Sequence, residues 1–432
     1  MQSSLKTVLL AGVSLAVGAT AAIAGGVAIR EQSALGMGNA FAGAAAGGAG
    51  LGSMFWNPAT MTDHEGWNSS WNFSGLLPYN NITPGAGTSP ALLTPILGSG
   101  APSGNIGKAA VVPATYTSYQ FNDKLWFGLA VTAPFGSATK SPTNWAGAIY
   151  GQTSKLTTID INPNIAYKIN DMVSVSVGVR AMYAFLHYTR AGTVLAANTS
   201  VGISKADAWG WGFTAGLTIK PAEGTEIGIG YRSQVKEKIS GTLITVGSTP
   251  ITSTITAPDQ VTVGVKQKVN DQWTVLAGLE WTNWSVFNNF PVFNSSTGAA
   301  IPSANFDFRW SNGWFASVGA EYKYNQDLTL RGGFAYEWSP ISDTVRGVRI
   351  PDNDRIWLTA GLSYQLSNKL SIDASYAHIF IKNAPIAINN ANNPAFVAPL
   401  AFVGTSKGHV DIVSVGVNYR WSEPARAVVA KY

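Results

Sequence analysis

Apolar side chains recur at every second position over long stretches of the chain. In residues 272–283, Trp273, Val275, Ala277, Leu279 and Trp281 share one face, while Gln272, Thr274, Gly278, Glu280 and Thr282 dominate the other. In 172–185, Val173, Val175, Val177, Val179, Tyr183 and Phe185 alternate with Ser174, Ser176, Gly178 and Arg180. Residues 355–366 place Ile356, Leu358, Ala360, Leu362, Tyr364 and Leu366 on one side. Residues 409–421 do the same with Val413, Val415, Val417, Tyr419 and Trp421. A period of two is that of a strand, whereas an amphipathic helix repeats at 3.6. Trp273 and Trp281 are eight positions apart. At about 3.3 Å per residue and a tilt near 40°, they stand roughly 20 Å apart along a membrane normal, the spacing of two aromatic girdles. A soluble β-sandwich alternates too, but turns its polar face outward and does not collect aromatics at strand ends.

Short polar connections punctuate the pattern at 122–123, 170–171, 221–224, 270–271, 325–326 and 367–368. Each suits a tight turn. Longer stretches lie near 78–109, 135–154, 190–204, 242–254, 284–304, 339–353 and 384–408. Together they delimit about fourteen strands near 66–77, 110–121, 125–134, 155–169, 172–189, 205–219, 225–241, 255–269, 272–283, 305–323, 327–338, 354–366, 369–383 and 409–421. An even strand count with short turns at one end and long loops at the other is the plan of an outer-membrane barrel. The expected fold is all-β: a transmembrane antiparallel barrel of about 14 strands.

Composition agrees. Only 12% of the 432 residues are charged and 11% are aromatic, with 15 Trp and 15 Tyr; soluble domains carry about 25% charged residues. The net charge of +5 comes with no basic run, which argues against a nucleic-acid partner. Absence of Cys excludes disulfide frameworks and thiolate chemistry. Residues 1–24 read as a signal peptide: Lys6 is the positive end, 8–19 are apolar or small, and Ala22-Ile23-Ala24 offers a cleavage site. An N-terminal anchor is the alternative. No later window holds 18 apolar residues, so no transmembrane helix is expected. A closed barrel then remains as the way to satisfy backbone groups in lipid.

Residues 25–63 show no alternation and are crowded with Gly and Ala. Such a segment could hang free or coil tightly inside a lumen. Its EQSALGMGNAFAGAAA run followed by FWNPATMT resembles the N-terminal hatch of the FadL-like long-chain fatty acid and hydrocarbon transporters. APFG at 133–136, RIPDNDRIWLTAGLSYQLS at 349–367 and SVGVNYRW at 414–421 extend the resemblance over the mature chain. It implies a hatch (25–63) plugging a fourteen-stranded outer-membrane barrel (64–421) in a Gram-negative cell, followed by a tail (422–432). Within the hatch, Phe41, Phe55 and the Asn57-Pro58-Ala59 turn are expected to line or hold the plug beside an apolar pocket. Family barrels usually end on an aromatic strand residue; here Trp421 is followed by eleven more residues, Pro424 among them, which breaks a continuous last strand.

Enzymatic chemistry finds little support. The four His residues (His64, His187, His378 and His409) have no zinc-like spacing, and neither GxSxG nor a Walker A run occurs. No cofactor and no metal are expected. Alternation points Arg180, Glu280, Arg331, Glu337 and Arg420 inward, with Glu321 and Lys323. They could filter charged solutes, but mixed signs favour ion pairing with one another and with Arg30 and Glu31 of the hatch.

Apolar residues in the water-facing loops are more telling: Leu92, Leu93, Ile96 and Leu97 in 78–109, and Phe396 and Phe402 in 395–403. Such patches mark binding sites unless the loops pack on one another. Pro134, followed by Phe135 and Gly136, lacks a ladder donor, so pairing should break there, either as an exit into a loop or as a kink. In the resembling family a third-strand kink opens a lateral gap. The expectation is a monomer, surrounded by outer-membrane lipids, that passes hydrophobic small molecules passively; a porin-like or adhesive barrel with a static plug is the alternative.

Overall fold

The computed structural model describes residues 26–94, 100–192 and 200–422. The expected signal peptide, Ile96, Leu97 and the tail beyond Ser422 lie outside the described residues.

Fourteen strands form the wall. They are β1 (Trp67–Pro84), β2 (Ala110–Gln120), β3 (Leu125–Thr132, resuming at Gly136–Lys140), β4 (Thr153–Lys168), β5 (Val173–Ala191), β6 (Ser200–Ala222) and β7 (Thr225–Arg232, resuming at Val235–Ile244). After these come β8 (Ser248–Ala257, resuming at Gln260–Lys268), β9 (Trp273–Thr282), β10 (Gly313–Lys323), β11 (Leu328–Trp338), β12 (Arg355–Ser367), β13 (Leu370–Ile381, resuming at Ala384–Ile388) and β14 (Phe402–Ser422). Each pairs antiparallel with its successor, and β14 returns to β1, from Trp67 opposite Ser422 to Pro84 opposite Gly404. Among the described residues the cylinder is closed, so none of its fourteen strands is an edge strand.

The alternation holds in three dimensions. Trp273, Val275 and Leu279 are exposed on the outer wall, as are Val177, Val179, Ile356, Leu358, Val413 and Val415. Arg180, Glu280 and Glu337 are buried inside. Strand ends moved where this signal fades. β1 and β14 run seven residues further toward the long loops than the pattern suggests, and 242–254 is a hairpin with Ser248 opposite Ile244 rather than a loop. These extensions are rich in Ser, Thr, Asn and Gly, because a wall standing above the lipid needs no apolar outer face. Conversely, 305–312 is not the start of β10: Phe306–Asp307 pairs with Asn289–Phe290 inside one long loop.

Residues 26–63 fill the lumen and are almost wholly buried. They comprise a short helix, α1 (Ala34–Gly38), and 3-10 turns at Ala44–Ala46, Gly50–Phe55 and Pro58–Asp63. Ser33 caps α1 by accepting a bond from Gly36 N at 3.1 Å. Small residues are needed on both sides of this contact. A Cβ on Gly228 or Gly230 of β7 would stand 1.7 Å from the carbonyl oxygen of Ala45 or Trp56, so only glycine lets the hatch backbone lie against the wall.

Candidate functional site

The hatch is held by polar contacts that leave few buried groups unpaired. Asn57 accepts from Ala59 N (3.0 Å) and donates to Ala45 O (2.7 Å), Leu217 O (2.9 Å) and Thr218 Oγ1 (3.2 Å). It thereby caps the Pro58–Asp63 turn and ties two hatch segments to β6. Pro58 occupies the first position of that turn, where its missing N–H is not required, and Ala59 is fully buried. Arg30 pairs with Glu280 of β9 and with Glu337 of β11 (3.2 Å) and lies 4.1 Å over the Phe315 ring. Arg180 and Arg232 share Asp160, at 2.7 and 2.5 Å, and Arg331 meets Glu321 at 2.9 Å. Most lumen charges thus pair as their mixed signs suggest. Glu31 does not: its Oε2 is buried without a partner. Lys323 and Arg420 are exposed at the turn end of the barrel.

Phe41 and Phe55 sit in this packed seat. Phe41 lies 5.5 Å from Trp56 and 6.2 Å from Trp357; Phe55 lies 5.0 Å from Trp56, beneath the Arg232 guanidinium at 4.1 Å. Both are core residues of the hatch and barrel, and neither lines the large cavity described below.

The third strand breaks at 133–135. Regular pairing with β2 ends at Thr115 opposite Val131, and the next contact is the Gly107–Thr139 bridge. The freed backbone turns inward onto the hatch. Ile29 N donates to Pro134 O (2.9 Å), Gly136 N donates to Val27 O (2.8 Å), and Gln32 Nε2 donates to Ala133 O (2.9 Å). Phe135 N is satisfied by Thr158 Oγ1 at 2.9 Å. Pro134 is therefore a kink between two paired segments, not an exit into a loop.

Above the hatch, at the long-loop end, lies a cavity of about 350 Å³. Tyr188, Phe306, Trp310, Ile341 and Phe396 line it, with Arg190 and Arg349. Neither arginine has a carboxylate partner among the described residues. Burial holds the Arg349 guanidinium down at about 10, and the like charge of Arg190 adds to that. Arg349 is anchored by donation to Thr189 O at 2.8 Å. A line of rings descends from this cavity. Phe306 stacks on Phe308 at 6.1 Å, Phe308 lies 4.7 Å from Phe287, Phe287 5.8 Å from Trp284, and Trp284 5.8 Å from Phe135. Val27 and Ala28 belong to the same apolar cluster. The break in β3 is thus the lower end of an aromatic ladder that starts in the mouth.

The loop residues divide. Leu92 and Phe402 are buried in a cluster with Trp145, Phe402 meeting that ring at 5.6 Å, so there the loops pack on one another. Leu93 is exposed and Phe396 reaches the cavity. Sequence reasoning passed over the ladder, although seven aromatics within 284–310 are conspicuous on one loop.

Residues 15–421 match the profile of the outer membrane protein transport proteins (OMPP1/FadL/TodX). The chain belongs to this family. A long-chain fatty acid transport protein of Escherichia coli O6:H1 is 29% identical, over 87% of this chain and 92% of its own. Outer membrane protein P1 of Haemophilus influenzae Rd is 26% identical, over 97% and 98%. A FadL homologue of Pseudomonas aeruginosa superposes with a TM-score of 0.82 at 22% identity, covering 92% of this chain and all of its own. For the P. putida toluene transporter TodX the TM-score is 0.62 at 17% identity, covering 88% and 97%. At these identities the solved structures speak to the fold alone, a FadL-type barrel; the family match and the curated relatives place it in the Gram-negative outer membrane.

Proposed function

We propose that this FadL-type barrel, acting as a monomer, collects hydrophobic small molecules at its mouth and releases them sideways through the break in β3. Long-chain carboxylates are the class the site suits best. The observation that carries this reading is the continuity of an apolar, arginine-bearing cavity with rings that end at Phe135. Each square ångström of apolar solute surface that leaves water gains about 25 cal/mol, so a greasy chain moves from loop to ladder to lipid without re-entering water. The two guanidiniums give an anionic head its own place, because a charge taken out of water needs a partner. Segment 26–29 fills the space between ladder and gap, and its displacement opens the route. No cofactor or energy source enters this reading, and the Escherichia coli relative is a long-chain fatty acid transport protein.

Uptake of a labelled C18 carboxylate and of toluene, compared between cells carrying the protein and cells lacking it, tests the reading. Faster entry of the carboxylate in carrying cells is expected. Equal uptake of both compounds by the two strains rejects transport and leaves the plugged barrel as a static or adhesive structure. Loss of carboxylate uptake on Arg349→Met with toluene uptake unchanged assigns the head-group role to the arginine.

A further inference from the structure

The outer wall is unevenly charged at the level of the loop-side aromatic girdle. On β6, Trp209, Trp211 and Phe213 are exposed, Trp211 at 69%, and mark where the lipid tails end. Beside and above them, on β3 to β7, stand Lys140, Lys155, Lys205, Lys236 and Lys238 with His187. All five lysines lack an ion-pair partner among the described residues. Lys155 is opposite His187, Lys140 opposite Thr153, and Lys238 and Lys236 opposite Thr254 and Thr256 of β8. Among the described residues at this level of the sector, the one exposed acid is Asp207, opposite Ser240. Between the upper ends of β3 to β6 the wall is hollowed into a cavity of about 350 Å³, bordered by Lys140, Ser141, Gln152, His187, Thr189 and Ser204. Hydroxyls, an amide, an imidazole and the Lys140 ammonium converge there above an apolar belt. Lys205 has a left-handed φ of 52° at a register shift in β6, a conformation uncommon in an L residue.

The opposite wall makes the contrast. On β13, β14 and β1, His378 bonds Asp411 at 2.7 Å, Tyr376 donates to the same carboxylate at 2.5 Å, and Lys382 lies 4.0 Å from Asp354. His378, His409 and Lys382 are compensated at that level, whereas Lys407 of β14 is exposed and has no ion-pair partner among the described residues. The uncompensated sector faces the leaflet that, in a Gram-negative outer membrane, carries phosphorylated sugars on acyl chains.

We infer that the β3–β7 wall is a docking site for a phosphorylated glycolipid of the outer leaflet, its phosphates on the lysine row and its sugar hydroxyls in the hollow. Such a lipid supplies each partner the surface lacks: anionic oxygens for unpaired ammonium groups, polar edges for the hydroxyl-rich hollow, and acyl chains for the exposed Trp and Phe. Lysines near an anionic lipid surface act roughly additively, so the row binds as a group.

The test uses the full mature protein in nanodiscs and bisphosphorylated lipid A as probe, with binding followed by native mass spectrometry. Replacing Lys155, Lys205, Lys236 and Lys238 together by Gln should weaken lipid A binding at least tenfold, and replacing all four by Arg should retain it. Lys382→Gln with Lys407→Gln, on the opposite wall, should leave it unchanged. Heat-modifiable gel mobility verifies that each variant is a folded barrel; if the Gln variant fails to fold, the Lys236→Gln/Lys238→Gln pair is measured instead. Undiminished binding by the Gln variant overturns the proposal, as does equal weakening by the opposite-wall pair. Displacement of lipid A by millimolar inorganic phosphate, or equal binding of dephosphorylated lipid A, also overturns it, the first by pointing to a free-anion site and the second to chain packing alone.

Discussion

Arg30 shows how one side chain can hold a plug in a cylinder. Its guanidinium spans Glu280 and Glu337 across two strands while covering Phe315. Removing one partner from a buried ion pair costs about 3–5 kcal/mol, because the other charge stays buried and unpaired. Arg30→Met should therefore loosen the hatch and raise ion conductance in planar bilayers. Adding Glu280→Gln and Glu337→Gln should lower it again, since the orphaned charges are then gone. Arg349 makes a prediction in affinity. Burial lowers its pKa, yet a guanidinium stays protonated across the working pH range. Arg349→Met should therefore weaken binding of a long-chain carboxylate at least tenfold and leave affinity for toluene unchanged; calorimetry of the detergent-solubilised protein distinguishes the two.

At the scale of elements, the kinked third strand and the glycine-bearing β7 carry the specificity of the architecture. Pro134 withholds a ladder donor, and the hatch supplies the bonds that β2 does not make. A Pro134→Val/Gly136→Val variant favours continued pairing with β2. Carboxylate uptake should drop at least tenfold while heat-modifiable mobility is kept; undiminished uptake rejects the lateral route. On β7 the close approach of Trp56 O leaves no room for a methyl group at Gly230. Gly230→Ala should displace the hatch, and faster amide exchange across 44–60 than in the parent is the expected readout.

For the whole molecule, the question is whether the hatch moves as cargo passes. Ala28 and Phe135 form an isolated antiparallel bridge, and the chain has no Cys of its own. Bridged antiparallel residues lie about 4.5–5.5 Å apart at Cα, within the range of a disulfide. An Ala28→Cys/Phe135→Cys variant, oxidised, should pin segment 26–29 to β3 and stop uptake, with recovery on reduction. Uptake equal in both redox states means that the cargo passes a stationary hatch. The reduced form also separates the effect of the tether from that of losing the Phe135 ring.

Period two with aromatic strand ends was enough to write down fourteen strands and their facing, because a lipid-exposed wall imposes apolarity on alternate residues. A break in pairing at Pro134 was expected for a similarly local reason, a missing donor, but whether it would be a kink or an exit into a loop was not legible. Nor were the strand ends at Pro84, Ile244 and Phe402, since above the membrane the outer face may be polar without penalty. The partners of Arg30, the ladder from Phe306 to Phe135 and the unpaired lysine row were decided by the tertiary structure alone. Each joins residues from different strands or loops, and such neighbours exist only after the cylinder has closed and set its register.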